Sequence, residues 1–319
     1  MRLGICGLGL IGSSVARAMV PHHDVSGLDP DPQAAAGAGA LGVTMVSDTA
    51  AMADCDLVLL AAPTSVNDAL LRHLMTTGHD RPVADLGSVK EPILRTSRAV
   101  AQFPFVATHP MAGSEDAGVQ AGAADLFRGG AWPVVIEPDT DPDALQLVML
   151  LILALGARVV PVTAAAHDRA IAMVSHLPHL AAGALGTTVA ADPRHTLAVG
   201  LAGGSFRDGT RVSGSPAART AEFITMNSQQ AAAAARTAAA ELVRVADMLD
   251  HRDNEALAGW LEQARQVRSD YEALATAPQR TMPRPTAPGL HELLMGSRDS
   301  GFAVVAASDD TLTVVGGDS

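Results

Sequence analysis

The chain has little of what several classes of protein require. Its 319 residues include two cysteines, Cys6 and Cys55, too few for a disulfide framework, so a reducing cytoplasm is the expected location. Lysine and arginine total 22 against 34 acidic residues, a formal charge of −12. No basic excess is present to displace counterions from nucleic acid or to hold an anionic membrane, so neither partner is expected. No apolar run reaches the ~20 residues that span a bilayer. The longest, Leu145 to Ala157, is broken by Gln146 and reads as a buried helix. The opening MRLGICGLGLIGSS is apolar but lacks the small-residue cleavage site of a secretory signal. Aromatic residues make up only 3%. Lysine is almost missing: 21 of the 22 basic residues are arginine, and Lys90 is the sole lysine. A GC-rich codon bias explains the abundance of Ala, Arg and Gly but not the survival of Lys90.

What is present is enough for a sizeable core, since 48% of residues are hydrophobic and 18% charged. The length suits two domains. Up to about residue 160, short β-branched runs alternate with helix-length stretches. The expected strands are Arg2–Cys6, Asp24–Leu28, Leu57–Ala61, Pro82–Asp85, Phe105–Ala107, Trp132–Ile136 and Arg158–Val160. That alternation predicts a parallel sheet covered on both faces, an α/β dinucleotide-binding domain over residues 1–162. From Thr163 to about Ala275 the pattern is Ala/Leu-rich and helical, predicting an all-α domain over 163–277. Residues 278–319 read as a Pro-rich linker (PQRTMPRPTAP), one short helix at Leu290–Met295, and a hairpin of Phe302–Ala307 with Thr311–Val315. Deletion of residues 279–319 is expected to leave turnover intact.

Gly7-Leu-Gly9-Leu10-Ile11-Gly12 follows the first strand and opens the first helix. The first glycine suits a tight turn, the second close approach of a pyrophosphate, and the third close helix–strand packing. The helix N-terminus offers the diphosphate its free N–H groups. Ser13 and Ser14 are candidate hydroxyl donors. Asp29 ends the second strand, where an acid accepts the ribose hydroxyls of NAD and repels the 2′-phosphate of NADP. Ala62 and Pro63 end a further strand and border the same crevice, although a Pro-initiated helix explains them equally well.

Two more strand ends carry polar clusters, Asp85-Leu-Gly-Ser88-Val-Lys90 and Thr108-His109-Pro-Met-Ala-Gly113-Ser114-Glu115. His109 on such a loop is placed to act as a general base, against the alternative of a solvent-facing histidine. Ser88 alone equally suits a helix N-cap. The company of these residues decides. GLGLIGSS, DLGSVK, HPMAGSEDAG, HDRAIAMVSHLPH and GGSFRDGTR occur in this order over residues 1–275, and together they resemble the prephenate/arogenate dehydrogenase family of tyrosine biosynthesis.

The resemblance implies a Rossmann-type domain, a helical domain through which two chains form a homodimer, and an NAD-dependent oxidative decarboxylation of a dicarboxylate. It gives His109 the role of catalytic base and Ser88 that of placing His109 and the nicotinamide. His179 then lines the substrate site, Arg211 grips a substrate carboxylate, and Arg207 adds positive charge. Ser114 and Glu115 fall on the loop beside His109; Glu115 is placed to pair with the ammonium of arogenate or to gate the site. Where many relatives carry a Trp, this chain has Thr220. Prephenate is favoured over arogenate only slightly. His176 and His179 lack a third ligand cluster, so no metal is expected, and His176 reads as a hydrogen-bonded core histidine. Two other readings stay open: a β-hydroxyacid dehydrogenase or imine reductase of the same two-domain plan, and a nucleotide sensor without turnover. Lys90 is expected to occupy a crowded turn that needs a compact ammonium rather than a planar fork.

Overall fold

In the computed structural model, which describes residues 1–100, 103–113 and 118–316, the chain forms two compact bodies: Met1–Asp168 with Arg280–Ser319, and Arg169–Gln279. The first body contains β1 (Arg2–Cys6), β2 (Asp24–Leu28), β3 (Thr44–Met45), β4 (Leu57–Leu60), β5 (Val83–Asp85) and β6 (Phe105–Ala107). These make a wholly parallel sheet in the order β3-β2-β1-β4-β5-β6. The order reverses between β1 and β4, which marks the crevice at their carboxyl ends as the place for a ligand.

Alternation along β4 shows why such strands read as continuous apolar runs. Leu57 and Leu59 enter one core, and Val58 and Leu60 enter the other. Helices α1 (Leu10–Met19) and α2 (Pro32–Ala40) line the first core. The second is lined by α3 (Thr64–Thr76), through Leu71 and Leu74, and by α4 (Glu91–Val100), through Ile93 and Leu94. Helix α2 begins with Pro32 behind an Asp31 cap that accepts from Gln33 N at 2.9 Å. Helix α5 (Pro142–Ala154) contains most of the long apolar run, begins the same way at Asp141, and buries Leu145, Val148, Met149 and Ile152.

The last two strands expected before residue 162 leave the parallel sheet. β7 (Ala131–Val135) and β8 (Arg158–Val162) pair with each other and found a second sheet, β7-β8-β10-β11-β9. The other strands come from the tail: β9 (Gln279–Pro283), β10 (Ala303–Ala307) and β11 (Thr311–Val315). The expected hairpin is present as β10–β11, but residues 278–319 are not a linker with an appendage. Val304 pairs with Val159 of β8, Asp299 accepts from Thr163 N and Oγ1 at 2.9 Å each, and Arg298 donates to the Ile136 carbonyl at 2.9 Å. The tail helix Ala287–Gly296 buries Leu290 and Leu294 in the main core of the body. The proline content misled because β9 is an edge strand, where a missing N–H costs no ladder bond. A harmless deletion of residues 279–319 is therefore no longer expected.

The division between the bodies falls inside α6 (Ala164–Ile171), later than residue 162. The second body is helical, with α7 (Leu177–Ala191), α8 (His195–Gly200), α9 (Gly204–Thr210), α10 (Ala217–Met226), α11 (Ser228–Asp250) and α12 (Asn254–Ala273); the tail helix is α13. A single π turn, Ala172–His176, joins α6 to α7. Apolar side chains of α11 and α12 are left open, Leu242 at 65% and Val267 at 69% exposure among them. Among the described residues, no helix is long and apolar enough to cross a membrane.

Candidate active site

The glycine turn has three different reasons for its three glycines. Gly7 has φ +96°, and a Cβ there would lie 2.5 Å from Ala62 N. A Cβ on Gly12 would lie 1.9 Å from the Gly7 carbonyl oxygen, so helix and turn meet backbone to backbone. Around Gly9 nothing lies within 4 Å of such a Cβ, which leaves the approach to the turn open. The N–H groups of Leu10, Ile11 and Gly12 begin α1 and have no carbonyl earlier in the helix to bond. The residues thus fit a dinucleotide diphosphate. Ser13 and Ser14 do not serve as donors to it. Both are fully buried, and both hydroxyls donate to the Leu10 carbonyl, at 3.3 and 2.7 Å.

Asp29, at the end of β2, is fixed beside this turn. One carboxylate oxygen accepts from Leu8 N at 2.6 Å and the other from Asp31 N at 2.9 Å. Ala62 and Pro63 lead from β4 into α3, and the buried Asn67 of α3 ties that turn down. Asn67 accepts from Ala62 N at 3.1 Å and donates to the Leu60 carbonyl at 2.9 Å and to Asp85 at 2.8 Å.

The ends of β5 and β6 are organised by Lys90. Its ammonium is fully buried, pairs with the Asp85 carboxylate and donates to the Thr108 carbonyl at 2.6 Å. Asp85 also accepts from Gly87 N at 3.0 Å, and the Thr108 hydroxyl accepts from Trp132 Nε1 at 2.9 Å. The DLGSVK turn and the Thr108–His109 strand end are thereby locked together around one charge pair. Ser88 is partly exposed on this turn, and His109 is partly exposed just past β6. Ser114 and Glu115 lie outside the described residues.

Two residues that the sequence reading passed over lie behind His109. His109 Nδ1 is 3.0 Å from His167 Nε2, and His167 Nδ1 is 2.7 Å from Asp168 Oδ1. Asp168 also accepts from Lys90 N at 2.8 Å and Glu91 N at 2.9 Å. Burial pushes the His167 pKa below its ordinary value, ahead of the opposing effect of the hydrogen bond that His167 donates to Asp168. The signal was in the motif HDRAIAMVSHLPH, where only its second half drew a role.

In the helical body, His179 of α7 packs edge-on to Phe223, ring centroids 5.3 Å apart. Burial lowers its pKa, and the positive charges of Arg211 and Arg219 push the same way. Arg219 went unnoticed in the sequence although it precedes Phe223 by one helical turn. Arg207 is exposed and 3.6 Å from Asp208. His176 is fully buried, with Nδ1 3.4 Å from the Asn227 amide and its ring against Phe223.

Comparison with known proteins also divides the chain in two, a few residues earlier, at residue 162. Residues 13–161 match the family "Prephenate dehydrogenase, nucleotide-binding domain", and residues 163–263 match "Prephenate dehydrogenase, dimerization domain". The chain is 33% identical to the cyclohexadienyl dehydrogenase of Zymomonas mobilis over 227 residues, 67% of this chain and 76% of that protein. It is 27% identical to the prephenate dehydrogenase of Bacillus subtilis over 277 residues, 83% of this chain and 74% of that one. The crystal structure of prephenate dehydrogenase from A. aeolicus in complex with hydroxyphenyl propionate and NAD+ superposes with a TM-score of 0.79 at 26% identity, covering 85% of this chain and 98% of that one. A nucleotide-binding parallel sheet followed by a helical dimerization domain, with relatives of one activity class along both, places this chain in the prephenate/arogenate dehydrogenase family.

Proposed function

We propose that the protein oxidises prephenate with NAD+ to 4-hydroxyphenylpyruvate and CO2. The observation that carries this reading is His109 past the carboxyl end of β6, on the same edge of the parallel sheet as a glycine turn after β1 that is shaped for a dinucleotide. NAD+ is held by the N–H groups of Leu10, Ile11 and Gly12, with Gly7 and Gly9 giving access, Ala62 and Pro63 at the border, and Asp29 on the ribose hydroxyls. When bound, the cofactor supplies the acceptor for the hydride from the substrate's carbinol carbon. The preference for NAD over NADP rests on Asp29, whose carboxylate would face a 2′-phosphate. The NAD+ in the A. aeolicus relative's crystal is consistent with it.

His109 accepts the carbinol hydroxyl proton as the C–O bond gains double-bond character, and Ser88 aligns the hydroxyl with the imidazole. The ring carboxylate then leaves as CO2, and its bonding electron pair completes the aromatic ring. Aromatisation drives that departure, so the protein's work is orientation. Arg211, with Arg207 and Arg219 adding charge, binds a substrate carboxylate, and His179 lines the same subsite. Two such helical bodies pair through the open faces of α11 and α12, giving a homodimer.

The test is NADH formation from prephenate and, separately, arogenate, with wild type and His109→Asn. Wild type should turn over prephenate, and the variant should lose roughly 10²- to 10⁴-fold in kcat. Turnover of arogenate alone would replace the substrate, and turnover of neither would refute the reading.

A further inference from the structure

The proposed reaction borrows a proton without releasing one. Prephenate dianion and NAD+ become hydroxyphenylpyruvate monoanion, CO2 and NADH, and hydrogens and charge balance with no proton left over. The base that takes the hydroxyl proton must therefore hold it while CO2 leaves, and then return it to the same oxygen, by then a phenolate. A single imidazole facing solvent would exchange that proton with water.

Behind His109 the structure offers a place to keep it. We propose, resting on that reading, that His167 and Asp168 are positioning residues that turn His109 into a two-ring base backed by a carboxylate. The Asp168 carboxylate accepts from His167 Nδ1–H at 2.7 Å, which leaves His167 Nε2 as an acceptor. That nitrogen then accepts from His109 Nδ1–H at 3.0 Å, so the neutral His109 carries its ring lone pair on Nε2. The His109 and His167 rings meet edge-on at 5.2 Å, so no other polar group is needed between them. When Nε2 of His109 takes the substrate proton, the Nδ1 proton moves toward His167 Nε2. The positive charge spreads over two rings against Asp168. Return of the Nε2 proton to the phenolate reverses the shift.

The surroundings suit a relay that is neutral at rest. Burial holds His167 below its ordinary pKa; Asp168 on α6 and Asp85 at the end of β5 pull it up, while Lys90 pushes it down. Asp168 has a second duty, accepting the Lys90 and Glu91 N–H groups at the start of α4. Its replacement would confuse folding with chemistry, so the test is made at His167.

His167→Leu and His167→Gln are compared with wild type in the full-length protein. Nitrogen-15 imidazole NMR reports the His109 tautomer and titration, and kcat/KM is followed against pH. Wild-type His109 should be the Nδ1–H tautomer. The Leu variant should lose that preference, titrate at lower pH, and show the acid limb of kcat/KM displaced the same way. Its kcat should fall roughly ten- to thousandfold, with KM for NAD+ unchanged. The Gln variant, whose amide oxygen accepts but takes no proton, should keep the tautomer and recover part of kcat. A His109 titration unshifted in both variants overturns the relay, whatever happens to the rate. If wild type turns over neither cyclohexadienol, the functional reading falls while the titration still decides the relay.

Discussion

Replacing Lys90 by Met tests the charge pair on which the β5 and β6 strand ends depend. Lys90 and Asp85 are both 0% exposed. The substitution keeps an apolar chain of similar length but removes the ammonium. Among the described residues, Asp85 would retain its bonds from Asn67 Nδ2 (2.8 Å) and Gly87 N (3.0 Å), and the Thr108 carbonyl would lose a donor at 2.6 Å. Removing one partner of a buried pair costs about 3–5 kcal/mol, because the other charge is left behind. At about 2–4 °C per kcal/mol for a body of this size, Tm should fall by roughly 6–20 °C. Urea unfolding followed by fluorescence in a Trp260→Phe background would isolate Trp132, which donates to Thr108 and so reports this region. Lys90→Met/Asp85→Asn should regain part of the loss, since the stranded charge is gone. Lys90→Arg should also destabilise, by about 1–3 kcal/mol, because a broader group is forced into a filled site. A Lys90→Met protein within about 1 kcal/mol of wild type would refute the reasoning.

Deleting residues 280–319 should leave the protein insoluble or unfolded in its first body, because it strips Leu290, Phe302, Val304 and Val314 from the core; circular dichroism and expression yield would show this, and a folded, active truncation would contradict it. Asp29→Ala should weaken NAD+ roughly ten- to hundredfold while leaving NADP+ unchanged or improved, read from the KM values of the two cofactors. His79 is buried edge-on to Phe103, and burial lowers its pKa, so the unfolded chain binds its proton first. Its contribution is complete above the unfolded value near 6.5 and is lost as pH falls toward the lower folded value; His79→Leu should therefore narrow the Tm difference between pH 7.5 and about 5.5.

The parallel sheet was readable because its strands are buried on both faces and so carry unbroken apolar runs such as Leu57–Leu60. The glycine turn was readable because Gly7 and Gly12 each answer a separate steric demand and Gly9 keeps the approach to the turn open. What escaped depended on partners distant in sequence. Residues 278–288 carry four prolines and look like a spacer until a neighbouring strand makes Gln279–Pro283 an edge. His167 and Asp168 are ordinary helix residues in sequence; they gain meaning only where α6 brings them to His109 and to the start of α4, 58 and 77 residues away. Ser13 and Ser14 misled for the opposite reason, since a helical serine whose hydroxyl donates to its own backbone has no donor left to offer a diphosphate. Lys90 was visible as an anomaly of composition, and burial against Asp85 supplies its reason.

The return of the tail to the first body sets an order of assembly. During synthesis β7 and β8 emerge early, but the strands that extend their sheet lie beyond the whole helical body. Roughly 150 further residues must be added first, which at ribosomal speed takes about 8–30 s. For that interval the β8 edge is an open template for strand addition, the condition under which nascent chains pair with one another. The helical body is correspondingly an insertion, tethered at both ends to a domain that is not finished until after it has been made.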